Sequence, residues 1–242
     1  MPREGVAQFV RSKFDEATTY GAYWMGKAMD YAQGRLQMQD LYAADATKVN
    51  IIAGLNELDP RFCFYLGHGN ADVYTAQDQE VVFQTCTGNE VMIGRVWLLL
   101  SCSCGIRLAP DTVNKGADAV IGWTVDFTWV ATGTPETDIY SPPFFEAVIM
   151  NFKSLVDGSN TRDAVDRSVQ VFNEGIDAWM QSADPYADMV VEHLIHDRDG
   201  LTLFGNPEAK ILEGAVPPLP PNGVVDNWPI EVAVGLGLLL LL

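Results

Sequence analysis

Residues 62–69 have the sequence Phe-Cys-Phe-Tyr-Leu-Gly-His-Gly, and residues 96–105 have the sequence Val-Trp-Leu-Leu-Leu-Ser-Cys-Ser-Cys-Gly. Short apolar runs bounded by Gly or Ser and rich in aromatic and branched side chains are typical of buried strands. Open α/β sheets bind ligands at the carboxyl ends of such strands. If the two strands are parallel neighbours, His68 and Cys102 lie at one edge of the sheet. A base and a thiol there are the minimum equipment of a cysteine nucleophile.

The rest of the pattern predicts further strands with helices between them. Apolar periodicity predicts helices over 5–33, 47–57, 142–156, 160–180 and 186–196. Apolar runs predict strands over 61–66, 95–101, 116–125 and 200–205, with a loop-rich stretch over 70–92. This alternation indicates an α/β fold.

Composition limits the class of protein. The chain has 242 residues, of which 48% are hydrophobic, so one domain with a substantial core is expected. Its formal net charge is −17, which argues against nucleic acid as the main partner because phosphate binding needs clustered Lys and Arg. The four cysteines include no Cys-x-x-Cys pair, so neither a zinc module nor a disulfide scaffold is predicted.

The carboxyl-terminal part differs in composition from the rest. A domain over 1–212 is followed by a Pro-rich linker over 213–229 and by the apolar segment 230–242, which ends in five leucines. That segment is shorter than the roughly 20 residues that span a bilayer, and we interpret it as the start of a membrane anchor. The alternative is a terminal strand or helix that packs on the domain. The anchor predicts an extracellular or cell-surface protein with the membrane as a partner.

The residues around His68 and Cys102 suit thiol chemistry. A thiol near its ordinary pKa of about 8.5 is mostly protonated at neutral pH, and a nearby imidazole helps to form the thiolate. The flanking Gly67 and Gly69 let substrate approach the backbone closely. The backbone N–H groups of Gly69 and Cys102 are the predicted oxyanion hole. Cys104 competes with Cys102 as nucleophile, because both lie on one face of an extended segment.

These two motifs resemble those of the caspase-like (caspase–hemoglobinase fold) cysteine peptidases, which include caspases, metacaspases, legumains, clostripain, separases and gingipains. In that group a Gly-His-Gly or His-Gly motif follows one apolar strand. The next strand ends in a small residue, the nucleophilic Cys, two variable residues, and Gly or Ser. Residues 65–69 match the first motif and residues 101–105 match the second, with Cys102 as the nucleophile. The resemblance therefore favours Cys102 over Cys104.

Within the group, the chain is most similar to gingipain-type peptidases. Residues 201–208 resemble their closing strand, with Asn206 in place of Asp, and residues 115–123 resemble the strand after the nucleophile. The resemblance implies a three-layer α/β/α sandwich with a mostly parallel sheet. It also implies two strands before the helix that precedes the histidine strand. Because residues 1–60 offer no convincing candidates, we expect the domain to be truncated and to lack its first strands.

The resemblance implies a cysteine endopeptidase that acts on proteins or peptides through a Cys102–His68 dyad. Trp123 and Asp126 fall where the family forms its primary specificity pocket, and Asp126 suits a basic P1 side chain, although a solvated loop carboxylate is the commoner role for such a residue. One alternative is a catalytically inactive caspase-like module that binds or scaffolds at the cell surface. Another is a CHAT-type protease within a signalling system.

No cofactor is predicted, although two groups of residues have metal-ligand chemistry. Three acids after the histidine motif suit either a structural calcium ion or a solvated loop, and two histidines with a neighbouring glutamate have the spacing of one helix face. For the second group, ordinary helix surface is favoured because a third ligand is not evident. The first group is Asp72, Asp78 and Glu80, and the second is Glu192, His193 and His196.

Overall fold

A computed structural model describes residues 1–212 and 238–241 of the chain. The strands are β1 Arg3–Arg11, β2 Gln37–Tyr42, β3 Pro60–Leu66, β4 Val73–Thr75, β5 Val81–Gln84, β6 Val96–Leu100, β7 Ala119–Trp123, β8 Thr128–Ala131, β9 Leu201–Gly205 and β10 Leu238–Leu241. The α-helices are α1 Glu16–Ala32, α2 Lys48–Glu57, α3 Leu108–Asn114, α4 Pro142–Val156, α5 Thr161–Met180 and α6 Ala187–Gly200. Three 3₁₀ turns occupy Ala43–Asp45, Gln77–Gln79 and Asn89–Met92.

Six strands form a mostly parallel central sheet in the order β2-β1-β3-β6-β7-β9. Only β9 runs antiparallel to its neighbour, β7. Helices α1, α4, α5 and α6 contribute to the core on one face, while α2, α3 and the β4–β5 hairpin contribute to the core on the other. The chain is therefore a three-layer α/β/α protein, as the sequence predicts.

The strands that decide the fold lie in the middle of this sheet. Every residue of β6 is buried, and in β3 only Arg61 is partly exposed. Apolar side chains on both faces of these strands are removed from water by the two helical layers, which explains why the runs are continuous rather than alternating. The predicted strands 61–66, 95–101, 116–125 and 200–205 are confirmed to within a few residues.

The prediction that the first strands are missing was wrong. Residues 5–33 do not form one helix: β1 and α1 divide them, and β2 follows. The buried middle of β1, residues 6–10, is apolar except for Gln8, which is fully buried and donates to the side chain of Gln39 and to the carbonyl of Ile51. Because these bonds satisfy a polar group inside the sheet, Gln8 does not interrupt the strand.

The carboxyl-terminal predictions are only partly covered by the described residues. The Pro-rich linker over 213–229 lies outside them, and so do residues 230–237 and 242. Leu238–Leu241 form β10, which pairs antiparallel with β8. Among the described residues, no helix has both the length and the apolar character to cross a membrane. The membrane anchor stays a prediction.

A cluster of phenylalanines joins the sheet to α4. The ring of Phe152 lies 5.4 Å from the ring of Phe9, 5.4 Å from that of Phe62 and 6.1 Å from that of Phe64, measured between centroids. All four side chains are fully buried. Aromatic pairs of this geometry stabilise a core beyond the area that they bury.

We expect the substitution Phe152→Ala to lower the free energy of unfolding by about 3–5 kcal/mol, because it removes a large buried ring and leaves a cavity. Urea denaturation measures the change. Met180→Ala is the control, since Met180 is 69% exposed and its loss should cost less than about 0.5 kcal/mol. Equal effects of the two substitutions would contradict a packing role for Phe152.

Candidate active site

The histidine and cysteine motifs leave the sheet side by side. Strands β3 and β6 are parallel neighbours, and their register places Leu66 opposite Leu100. The N–H of Gly67 donates to the carbonyl of Leu100 at 3.3 Å, which extends the pairing beyond the strands. His68 lies two residues after Leu66, and Cys102 lies two residues after Leu100. The predicted adjacency of the two strands is confirmed, and it brings both residues to one carboxyl edge.

Both glycines beside His68 are required by the backbone of β4, which passes close to them. A Cβ atom on Gly67 would lie 1.9 Å from the carbonyl oxygen of Thr75, and one on Gly69 would lie 2.7 Å from that of Val73. These contacts are with backbone atoms, so a small shift of a side chain cannot relieve them. His68 can therefore lie between β3 and the β4–β5 hairpin only with glycine on both sides of it.

Asp15 contacts His68, although the sequence motifs give no indication of it. Its Oδ2 atom lies 2.5 Å from Nε2 of His68, and the ring of Phe14 packs edge-on against the imidazole. Asp15 also caps the amino terminus of α1, where its side chain accepts from the N–H of Thr18. Its position just after an apolar run is typical of a residue at a strand end. The helix predicted over 5–33 instead placed Asp15 in the interior of a helix.

The environment of Asp15 keeps this carboxylate ionised. Burial alone would raise its pKa, yet the hydrogen bonds from the Thr18 backbone and from His68 hold the pKa below its ordinary value. An ionised carboxylate on one ring nitrogen fixes the orientation and the tautomer of an imidazole. Asp15 therefore fixes the ring of His68 at the carboxyl edge of the sheet.

Cys102 lies in a turn beyond β6 and is only 6% exposed. Its Sγ atom lies 4.0 Å from the carbonyl oxygen of Phe127. Burial raises the pKa of the Cys102 thiol well above its ordinary value, and the negative charge of Asp126 raises it further. The thiol is therefore neutral at rest and needs a base to become a nucleophile.

Cys104 occupies the opposite face of the sheet. Ser103 adopts a left-handed conformation with φ of 54°, so the segment turns, and the expectation that Cys102 and Cys104 share one face was wrong. Cys104 is fully buried, with its Sγ 3.4 Å from both the Val73 carbonyl oxygen and the Ser101 hydroxyl, and burial raises its pKa to about 12. Cys102 instead belongs to the core on the other face of the sheet, to which α1 also contributes.

The oxyanion hole predicted at the backbone N–H groups of Gly69 and Cys102 stays a prediction, but the hydrogen bonding of both groups is described. Gly69 and Tyr74 lie opposite each other in an antiparallel bridge but do not hydrogen-bond to each other. The hydrogen bonds of that bridge join the residues on either side of them. The N–H of Gly69 therefore points away from β4. The N–H of Cys102 has no backbone acceptor within the part of the chain that the structure describes. Donors of this kind can receive a developing negative charge.

The two predicted specificity residues differ in position. Trp123 is fully buried, its indole N–H donates to the carbonyl of Asp197, and its ring packs against Phe127. It supports the segment beneath the thiol and offers no surface to a ligand. Asp126 is exposed and accepts a hydrogen bond from the Ser103 hydroxyl at 2.6 Å. A carboxylate is thus presented to solvent next to Cys102.

The predicted metal-ligating groups do not assemble. Asp72 pairs with Arg107, Asp78 contacts Gln77, and Glu80 accepts from the N–H of Lys48. In residues 1–212 and 238–241, no group of three acidic, His or Cys side chains is placed to hold a metal ion.

The two histidines of α6 contact the segment beside the thiol. His193 Nδ1 lies 2.9 Å from the Thr128 hydroxyl, and His196 Nε2 lies 3.0 Å from the carbonyl oxygen of Asp126. These contacts tie α6 to residues 126–128. The histidines therefore help to position the backbone next to Cys102.

Comparison with known proteins gives no family. No protein-family model matches the chain, and the search of curated proteins found no match. The resemblance to caspase-like peptidases remains an expectation that depends on the motifs around His68 and Cys102.

We expect Asp126→Asn to speed alkylation of Cys102 by iodoacetamide at pH 8 by about 2–5-fold. The substitution removes a negative charge that raises the thiol pKa, although solvent screens part of that effect. Peptide mapping by mass spectrometry separates Cys102 from the exposed Cys86. Asp166→Asn removes an exposed charge on α5 and should leave the rate unchanged. An unchanged rate in both variants would contradict the electrostatic coupling.

Proposed function

We propose that this chain is a cysteine endopeptidase of the caspase-like type. The observation that carries the proposal is the alignment of β3 with β6, which places His68 and Cys102 at one sheet edge while Asp15 holds the imidazole. Each residue alone is ordinary. A base, an orienting carboxylate and a thiol at the carboxyl ends of three adjacent parallel strands form the set that nucleophilic catalysis requires.

In the proposed reaction, Cys102 attacks the carbonyl carbon of the scissile peptide bond. His68 takes the thiol proton and delivers it to the nitrogen of the leaving amine. The resulting thioester is hydrolysed by water, whose proton passes to His68 and then to the departing thiolate. The N–H groups of Gly69 and Cys102 stabilise the oxyanion in both steps, and Asp15 stabilises the imidazolium.

The substrate class follows from Asp126. This exposed carboxylate accepts a hydrogen bond from Ser103, the residue after Cys102, and the resemblance implies that the P1 side chain enters in this region. An Arg or Lys side chain would pair with it by charge-assisted hydrogen bonds. We therefore propose cleavage after a basic residue.

A second function is favoured by one observation. Cys102 is 6% exposed and its thiol is neutral, which also suits a domain that binds peptides without cleaving them. The two functions differ in whether an electrophile aimed at an activated thiol modifies Cys102.

A peptidyl acyloxymethyl ketone with Arg at P1 is expected to label the full-length chain at Cys102. Cys102→Ala should abolish labelling and Cys104→Ala should retain it, because Cys104 lies on the other face of the sheet. A ketone with Leu at P1 should react more slowly, and Asp126→Asn should reduce that difference. If iodoacetamide modifies Cys102 but no acyloxymethyl ketone does, the peptidase is wrong and the binding module is favoured.

We expect Asp15→Asn to lower the labelling rate by about 10- to 1,000-fold. Asn keeps the cap of α1 but loses the charge that supports the imidazolium. Asn160→Ala is the control, because it removes the cap of α5 and does not touch His68. It should lower stability by about 1 kcal/mol and leave the labelling rate unchanged. Equal labelling rates in both variants would contradict the role of Asp15.

A further inference from the structure

Strand β8 pairs with a segment from the far end of the chain and not with the central sheet. Leu238–Leu241 run antiparallel to it, with Leu238 opposite Ala131 and Leu241 opposite Thr128. None of the six strands of the central sheet is hydrogen-bonded to β8. The edge of β8 is therefore a place where an extended chain adds by backbone hydrogen bonds, and one such chain occupies it.

This edge leads directly to the thiol. Thr128, the first residue of β8, follows Phe127, whose carbonyl oxygen lies 4.0 Å from Cys102 Sγ. Because the pairing is antiparallel, a chain on this edge approaches Cys102 as it runs from its amino to its carboxyl end. If this register is continued by one residue beyond Leu241, it reaches the position opposite Phe127. A peptide in this orientation presents the carbonyl at its carboxyl-terminal end to the thiol.

We propose that Leu238–Leu241 are a tethered competitor that occupies the edge of β8 which an extended substrate needs. This inference rests on the proposed function, because it concerns regulation of the same site. The segment has the polarity of the residues that precede a scissile bond, and it also contacts α1. It contains no Lys or Arg to pair with Asp126, so it is a competitor and not a substrate.

The competition is intramolecular. The segment belongs to the same chain as β8, so its effective concentration does not fall when the protein is diluted. A substrate gains access only when the segment leaves. The chain therefore restrains its own site, and loss of the pairing increases access to Cys102.

The test uses the full-length chain with paired substitutions in β10. Hydrogen-bonded positions alternate along an antiparallel ladder, so one of Leu239 and Leu240 donates its N–H to β8. The double variant Leu239→Pro/Leu240→Pro removes that donor. The double variant Leu239→Val/Leu240→Val is the matched control, because it keeps both N–H groups and the preference for strand structure.

Two measurements follow the variants. The first is the rate at which the ketone with Arg at P1 labels Cys102, and we expect about a tenfold increase in the Pro variant and a change of less than about twofold in the Val variant. The second is amide hydrogen exchange of Thr128–Ala131, which should accelerate in the Pro variant while that of β3 stays constant.

The outcomes separate the two proposals. If Cys102 is labelled at the same rate in the wild type and the Pro variant, the tethered competitor is overturned and the peptidase stands. If amide hydrogen exchange of β8 is unchanged in the Pro variant, the segment does not occupy this edge. That result also overturns the tethered competitor. If no acyloxymethyl ketone labels Cys102 in either protein, the proposed function fails and the inference fails with it.

Discussion

The hydrogen bonding between β3 and β6 sets Leu66 opposite Leu100, and the rest of the site depends on that alignment. A shift by one residue would move every side chain of a strand to the other face of the sheet. His68 and Cys102 would then no longer leave the sheet at the same level. The alignment is favoured because both strands are buried on two faces, so a shift along the strand would carry the polar residues that flank the apolar runs into the core.

Two carboxylates act on this site in different ways. Asp15 contacts the imidazole of His68 and fixes its orientation, while Asp126 disfavours the ionised form of Cys102. Burial and the charge of Asp126 together favour a resting thiol that keeps its proton. Such a thiol reacts slowly with general electrophiles.

The sequence predicts the central strands because their apolar runs are continuous and bounded by glycine and serine. It fails in the first 33 residues, where Gln8 makes β1 resemble a face of a long amphipathic helix. The partners that satisfy Gln8 lie at Gln39 and Ile51, which no local pattern connects to it. Asp15 was missed for the same reason, since the break between β1 and α1 is what makes it a helix cap.

The two cysteines illustrate a different limit. Alternation along an extended strand places Cys102 and Cys104 on one face, but the left-handed conformation of Ser103 separates them. A non-glycine residue in that conformation is uncommon and gives no sequence signal. The β4–β5 hairpin, which requires both glycines around His68, lies in a stretch whose sequence predicts only loops.

The pairing of β10 with β8 also bears on how the protein behaves in concentrated solution. A run of leucines with unpaired backbone groups is a template for association between chains, and so is an exposed strand edge. In this fold the leucine segment β10 covers the edge of β8, and β8 pairs with the backbone of the leucines. Release of the segment uncovers both at once, so the open form is the species prone to aggregate. The net charge of −17 opposes that association by repulsion between chains, and added salt weakens the protection.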